Sequence, residues 1–520
     1  MPDQTAPFGD PDGSRADLDS IIHGFITFGG SISWGALATR PDDLRARIIV
    51  GRKGSGKTVY LRRLQAYAAD QTSVYATPIE LQPPDTDLII RFCQWFPATT
   101  LEEKWTALWR CAIYRSLVSR ILRDDKLSAY LGPDDYQRLH FPELMREFRT
   151  PVSIYSQVRE IITDHDTAHQ VTKYLQHPYW EDLRYELSRQ VRKIPPICFY
   201  LDGIDYGFEN APMFWLRSQK GLFHQVMNLL RDPWFGSQIH VFITVRDLVM
   251  SSILRSEHAT RHLGETYIRV LNWNKTAISY FFSSKISILS DELFSCSLDG
   301  GKTIRSWLGP DEIRNTVRKI DEPTEQYLLR HTRLLPRDIV ILGNALCSEV
   351  LRAKRNPESI VSAQAIRDVV SRVAKQLGHE QLEICGNQVA SDTIPDRAAL
   401  RGYANTYIAN REYSRSIGEE LQRLIRDVGK DRFGRAELDT LRSRGTEIFG
   451  NGVDIPSVLW QNGLLGYSLD GRPDSPCVFF SEEQLDSFVL PPDREGYAFH
   501  SILIDTVRIQ AVGKMPVLSF

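Results

Sequence analysis

The chain lacks a charge excess of either sign. Among 520 residues, 63 Lys and Arg meet 65 Asp and Glu, a formal net charge of −2. That balance excludes a polycationic nucleic-acid coat, and an apolar content of 42% excludes wholesale disorder. Cysteine is scarce: the 7 residues are odd in number and dispersed, with no C-x-x-C pair. This excludes a disulfide-stapled scaffold and reads as reduced thiols. No apolar run approaches the roughly 18 residues of a membrane span, so no membrane association is expected. The opening stretch, MPDQTAPFGDPDGSRADLDS, is acidic rather than basic and then apolar, and a cytoplasmic protein is expected. Neither low-complexity tracts nor internal repeats of roughly 20 to 50 residues occur, which excludes a solenoid or propeller.

What is present is length enough for about three domains. Residues 1–19 are expected to be a flexible tail. From Arg47 the chain reads RIIV, a glycine-rich turn, then TVYLRRLQAYA with apolar residues at helical spacing. Further short apolar runs follow at 73–77 (SVYAT), 197–201 (ICFYL), 239–244 (IHVFIT) and 267–271 (YIRVL). Short β-branched runs alternating with helical stretches are how buried strands of a parallel sheet look. A five-stranded α/β domain over 20–272 is therefore expected, with a helical insertion at about 85–190. In that insertion Trp105, Leu108, Trp109, Ala112, Ile113, Leu117 and Ile121 share one helix face. Residues 273–395 read as an all-helical lid and 396–430 as a long helix with the stripe Ile417, Leu421, Leu424, Ile425, Val428. Residues 431–520 carry two short helices and then LLGYSL and CVFFS around a turn, the order of a winged helix.

Gly51-Arg52-Lys53-Gly54-Ser55-Gly56-Lys57-Thr58 fits G-x-x-x-x-G-K-[ST], after a strand and before a helix, as phosphate binding requires. Gly51, Gly54, Ser55 and Gly56 would bring backbone N–H groups to the phosphates. Lys57 would meet the β and γ phosphates, and Thr58 would give a hydroxyl to Mg²⁺. The side chains of Arg52, Lys53 and Ser55 read as loop filler. Asp202, directly after the apolar ICFYL, is the candidate second metal ligand. Gly203 follows it, and the next acid, Asp205, either orients the attacking water or caps the next helix. Glu209 is a substitute for the first role. Arg246, in ITVRD, falls where the end of a strand would face the γ phosphate.

Together GRKGSGKT, LDGID and ITVR resemble the STAND group of signal-transducing P-loop ATPases, and LDGID looks most like the NACHT form of the Walker B strand. The resemblance implies an α/β P-loop NTPase of the ASCE type, followed by an all-α lid and a C-terminal winged helix. It implies ATP or ADP with Mg²⁺ as ligands, favours ATP over GTP, and makes Lys57, Asp202, Asp205 and Arg246 the hydrolytic set. Tyr206 stands where the pattern has a second distal acid, which implies slow turnover. RLLPRDIVILGNAL is similar to the G-x-P segment of that group, with Pro336 near the adenine and Leu334 in place of the glycine. Pro336 is equally a good first residue for the helix it opens. Arg337 could alternatively sense the γ phosphate. YAFHSILID is similar to the segment whose histidine touches the β phosphate of bound ADP, which would be His500; packing alone would also explain a histidine among apolar neighbours.

The same three-part layout occurs in origin-recognition and loader ATPases of the AAA+ class. That reading expects an arginine contributed by a neighbouring copy, with Arg255 or Arg261 as candidates, and hence a homo-oligomer. Charge disfavours DNA as the partner: from residue 448 onward nine acidic residues face four basic ones, and IPSVLWQNG has no Lys or Arg. A protein partner or effector chain, in bacterial signalling or defence, is the expectation instead.

Overall fold

The computed structural model describes residues 6–16, 46–139, 152–204, 212–254, 267–271, 273–355, 361–393, 403–470, 472, 475–480, 490–491 and 493–513. Five strands form one all-parallel sheet: β1 (Ile48–Gly51), β2 (Tyr75–Glu80), β3 (Ile197–Leu201), β4 (Ile239–Arg246) and β5 (Ile268–Val270), in the order β2-β3-β4-β1-β5. The continuous apolar runs IIVG and ICFYL are buried on both faces because helices cover both. On one face α1 (Lys57–Ala69) packs Tyr60, Leu61 and Ala68 over Ile49, Tyr200 and Phe242.

The other face carries the insertion: α2 (Thr86–Gln94), α3 (Ala98–Arg123), α4 (Asp125–Ser128), α5 (Pro133–Leu139), α6 (Ile154–Thr163), α7 (Ala168–Leu175) and α8 (Tyr179–Gln190). The expected stripe from Trp105 to Ile121 is wholly buried in α3. Trp109 Nε1 donates to the Ser218 carbonyl, 3.0 Å away on α9 (Pro212–Arg231), so insertion and sheet share one core. After β4 comes α10 (Asp247–Leu254).

The middle segment corrects the expectation of an all-helical unit. Beside α11 (Lys275–Ser287), α12 (Ile304–Leu308), α13 (Thr324–Leu329), α14 (Pro336–Lys354) and α15 (Ala363–Thr393) stands an antiparallel hairpin, β6 (Glu312–Asn315) with β7 (Ile320–Pro323). Its strands, EIRN and IDEP, bury only alternate residues and carry charge between them. They offer no apolar run to read from sequence. A second correction concerns the flexible tail: within residues 6–16 Phe8 is 1% exposed in the core of the middle segment.

The last region begins with α16 (Tyr403–Val428), whose Ile417, Leu421, Leu424 and Ile425 are buried as the stripe predicts. Then follow β8 (Arg432–Gly434), α17 (Arg435–Phe449), α18 (Ile455–Gln461), β9 (Leu465–Ser468), β10 (Cys477–Phe479) and β11 (Gly496–Phe499). The four strands form an antiparallel sheet in the order β10-β9-β11-β8. The two helices and the β9–β10 pair were expected; β8 and β11 were not. Helix α15 spans two cores, with Ile366, Val369, Val370, Val373 and Leu377 in the middle one and Ala374 and Leu382 to Ala390 in the C-terminal one. No helix among the described residues is long and apolar enough to cross a membrane.

Candidate functional site

Residues 51–58 run from β1 into α1. Gly54 and Gly56 adopt φ of +95° and +89°, a region side chains with a Cβ disfavour. The first turn of α1 holds no acidic residue, and Gly56 at its N-cap offers no side-chain cap. Its N–H groups and dipole therefore present uncompensated positive potential to the loop. Lys57 Nζ donates to the carbonyls of Gly51 (2.9 Å) and Arg52 (3.0 Å), folding over the loop. Trp273 Nε1 donates to the Ser55 carbonyl at 3.0 Å and fixes its outer side. Thr58 lies in the first turn of α1.

Parallel pairing brings the carboxyl ends of β3, β4 and β1 side by side. Leu201 pairs with Ile243, and Gly51 with Arg246. Asp202 is thereby placed one residue past β3, 5% exposed, and its carboxylate accepts from Thr244 Oγ1. Its backbone is held from both sides, the N–H donating to the Glu80 carbonyl (3.0 Å) and the carbonyl accepting from Tyr155 Oη (2.9 Å). Arg246 is buried directly across from Gly51. Asp205, Tyr206 and Glu209 lie outside the described residues, as do Arg255 and Arg261.

The middle segment reaches the same loop. Pro336 is buried at the first position of α14, and Leu334, two residues earlier, holds φ of +57°. Leucine thus keeps the left-handed turn for which glycine is the default residue. Arg337 N–H donates to the Gly54 carbonyl at 3.2 Å, and a Cβ on Gly54 would stand 2.9 Å from that of Arg337. Gly54 is needed both for its φ and for this approach.

His500 comes from the C-terminal region and is fully buried beside Phe479, with ring centroids 5.3 Å apart. Its Nδ1 accepts from the Ile502 N–H at 3.2 Å, so the neutral ring carries its proton on Nε2. Burial pushes its pKa down to about 3, against the pull of Asp338 and with the repulsion of Arg333 and Arg52. Those three neighbours bring His500 into the field of the loop and of α14.

Arg52 corrects its reading as filler. Its Nη2 donates to the Phe480 carbonyl at 2.9 Å, its guanidinium lies 5.3 Å over the Phe480 ring, and Asp247 is 4.0 Å away. The glycine-rich loop is thus pinned directly to the C-terminal region, one residue past β10. Thr244 and Glu80 were also missed. Thr244 is a polar residue two positions before Arg246 in an otherwise apolar stretch of β4, which was a usable signal. Glu80 was hidden because β2 was expected to stop at residue 77. As an edge strand, β2 tolerates Pro78 at a register shift and runs on to Glu80. The buried Glu80 carboxylate accepts from the Ile154 and Tyr155 N–H groups (2.8 and 2.9 Å) and caps α6; burial raises its pKa.

The donor set suits an anion. Ser55 Oγ and Arg337 Nε are buried without a hydrogen-bond partner, beside the glycine cradle and Lys57. A hard cation at such an anion would call for oxygen donors, the role expected of Thr58 and Asp202. Among the described residues no group of three or more His, Cys, Asp or Glu is gathered for a metal. No family model, curated protein or solved structure matches the chain.

Proposed function

We propose that this protein is a nucleotide-operated switch of the STAND type: ATP or ADP binds at residues 51–58 of a P-loop domain, and the bound state sets how the lid (residues 273–393) and the winged-helix region pack upon it. The observation that carries the reading is the convergence of three units on one loop, through Arg337 on Gly54 and Arg52 on Phe480. A ligand seated there contacts all three and can bias their arrangement by its differential contacts.

In this reading Lys57 exchanges its loop carbonyls for the β and γ phosphates, and the N–H groups of 54–58 surround them. Mg²⁺, held by Thr58 and through water by Asp202, would neutralise phosphate charge. Thr244 keeps the Asp202 carboxylate oriented. Arg246 supplies charge at the γ position, and His500 offers Nε2–H to the β phosphate of ADP. Pro336 forms the base side. Asp205 is the residue assigned to the attacking water, with slow turnover.

The neighbouring reading, an AAA+-like ATPase acting on DNA, draws less support. Arg435, Arg442 and Arg444, the basic residues of α17, are each paired with an acid: Asp439, Asp454 and Asp427. A protein partner or effector chain is the expected output.

The test is to denature freshly purified protein and quantify the nucleotide released per chain. Near-stoichiometric ADP is expected, and Lys57→Ala should lose it, with affinity weakened about a hundredfold. A wild-type protein that releases none and shows no Mg·ADP binding by calorimetry overturns the reading.

A further inference from the structure

Residues 6–16 touch both the middle segment and α1, the helix that follows the glycine-rich loop. At one end Phe8 fills a slot in the lid core between Phe282 and Trp307, with ring centroids 6.2 and 5.2 Å away. The slot exists because α14 has Gly343 there; a Cβ on Gly343 would run into the Phe8 ring. Asn344, next on the helix, clasps the segment's backbone twice. Its Oδ1 accepts from the Phe8 N–H at 2.8 Å, and its Nδ2 donates to the Gly9 carbonyl at 3.0 Å.

At the other end the segment lies on α1, immediately after the glycine-rich loop. Arg62 Nη1 donates to the carbonyls of Gly13 (2.8 Å), Ser14 (3.3 Å) and Ala16. Gly13 is so close that a Cβ there would stand 2.7 Å from Val59 Cγ2 and 3.4 Å from Thr58 Cβ. Between the anchors, Asp12 lies in the positive field of Arg337, the residue that joins the lid to Gly54.

We propose that residues 6–16 are a staple between lid and P-loop helix that limits lid opening and sets the rate at which nucleotide leaves. Swinging α14 away from α1 must either extract Phe8 from its slot or break the Arg62 contacts. The inference rests on the nucleotide reading of residues 51–58.

The experiment loads the full chain with a fluorescent ADP analogue and Mg²⁺, then chases with excess unlabelled ADP and follows release. Phe8→Ala removes the plug. Gly343→Ala fills the slot while raising helix propensity, so it evicts Phe8 from a lid that still folds. Each is expected to speed release about ten- to hundredfold, the scale of burying one Phe side chain. The double variant should be no faster than the faster single one, since both act through one contact. Arg62→Ala, which leaves the lid core intact, should also speed release. If the wild type holds the analogue and Gly343→Ala and Arg62→Ala release it no faster, the staple fails and the site stands. Multiplied effects in the double variant would also overturn it, and a wild type that never binds the analogue overturns both.

Discussion

Around β3 and β4 the interior is mostly apolar, with Ile197, Phe199, Val241 and Ile243 at its centre, whereas the seam joining α14, α15 and α18 is lined with charges and amides. In the seam, Asp338 accepts from Arg333 at its N–H (2.9 Å), Nε (2.8 Å) and Nη2 (2.6 Å). Arg333 passes on to Gln381, Gln381 to Asn462 (2.9 Å), Asn462 to Gln388 (2.7 Å), and Gln388 to Gln461 (2.5 Å). A chain of satisfied polar groups thus leads from the residue beside Arg337 into the C-terminal region. A second buried pair, Arg318 with Asp431, joins the hairpin end of the middle segment to the residue before β8. Apolar cores gain from excluding water and gain little by opening. A polar seam is worth much only while every partner is in place, and exposed to water its groups are solvated at small cost.

The sharpest way to break that contrast is Asp338→Asn. It leaves Arg333 buried without its carboxylate and should cost about 3–5 kcal/mol in chemical denaturation. A loss under about 1 kcal/mol would mean the seam is already wet and the contrast false. Acid gives the next largest effect. The stability His500 contributes by staying neutral is fully present above its unfolded pKa of 6.5 and is lost as pH falls toward about 3. Between pH 7 and 4.5 that loss amounts to about 2–3 kcal/mol. His500→Asn should remove this share of the acid sensitivity. His240, in β4 beside Arg47 and also pushed down to about 3 mainly by burial, should keep its own share. An unchanged pH profile in His500→Asn would show that the ring is hydrated.

Asn462→Ala tests the relay itself. It orphans Gln381 Nε2 and Gln388 Oε1 and should cost about 1–3 kcal/mol by thermal melting. Its cost should be less than additive with Gln381→Ala, because the two share a bond. In the sheet, Ile243→Val deletes one buried methylene and should cost about 1 kcal/mol without altering nucleotide release. A changed release rate there would mean that sheet packing, too, is coupled to the site.

Much of the α/β sheet was legible because burial on two faces demands unbroken apolar runs, and β1, β3 and β4 supply them. The α3 and α16 stripes were legible for the matching reason at helical period. The hairpin of β6 and β7 was not, because a partly exposed two-stranded element needs only alternate apolar residues, and Ile313 and Ile320 are too few to signal it. Residues 6–16 look like a tail in composition. Their packing depends on Gly343 and Arg62, more than 300 and about 50 positions away, and spacing along the chain cannot reveal a slot.

The sequence by itself determined the glycine-rich loop, its lysine and threonine, the aspartate after an apolar strand, the five strands of the parallel sheet in chain order, and the apolar stripes of α3 and α16. These depend on local backbone requirements and on hydrophobic period, which are written in consecutive residues. Only the tertiary structure decided that Thr244 meets Asp202, that Arg337 and Arg52 bind the loop to two other units, and that an amide relay runs from α14 to α18. Such contacts join residues distant in the chain, and their worth comes from mutual burial and completed hydrogen bonds, which exist only once the elements have packed.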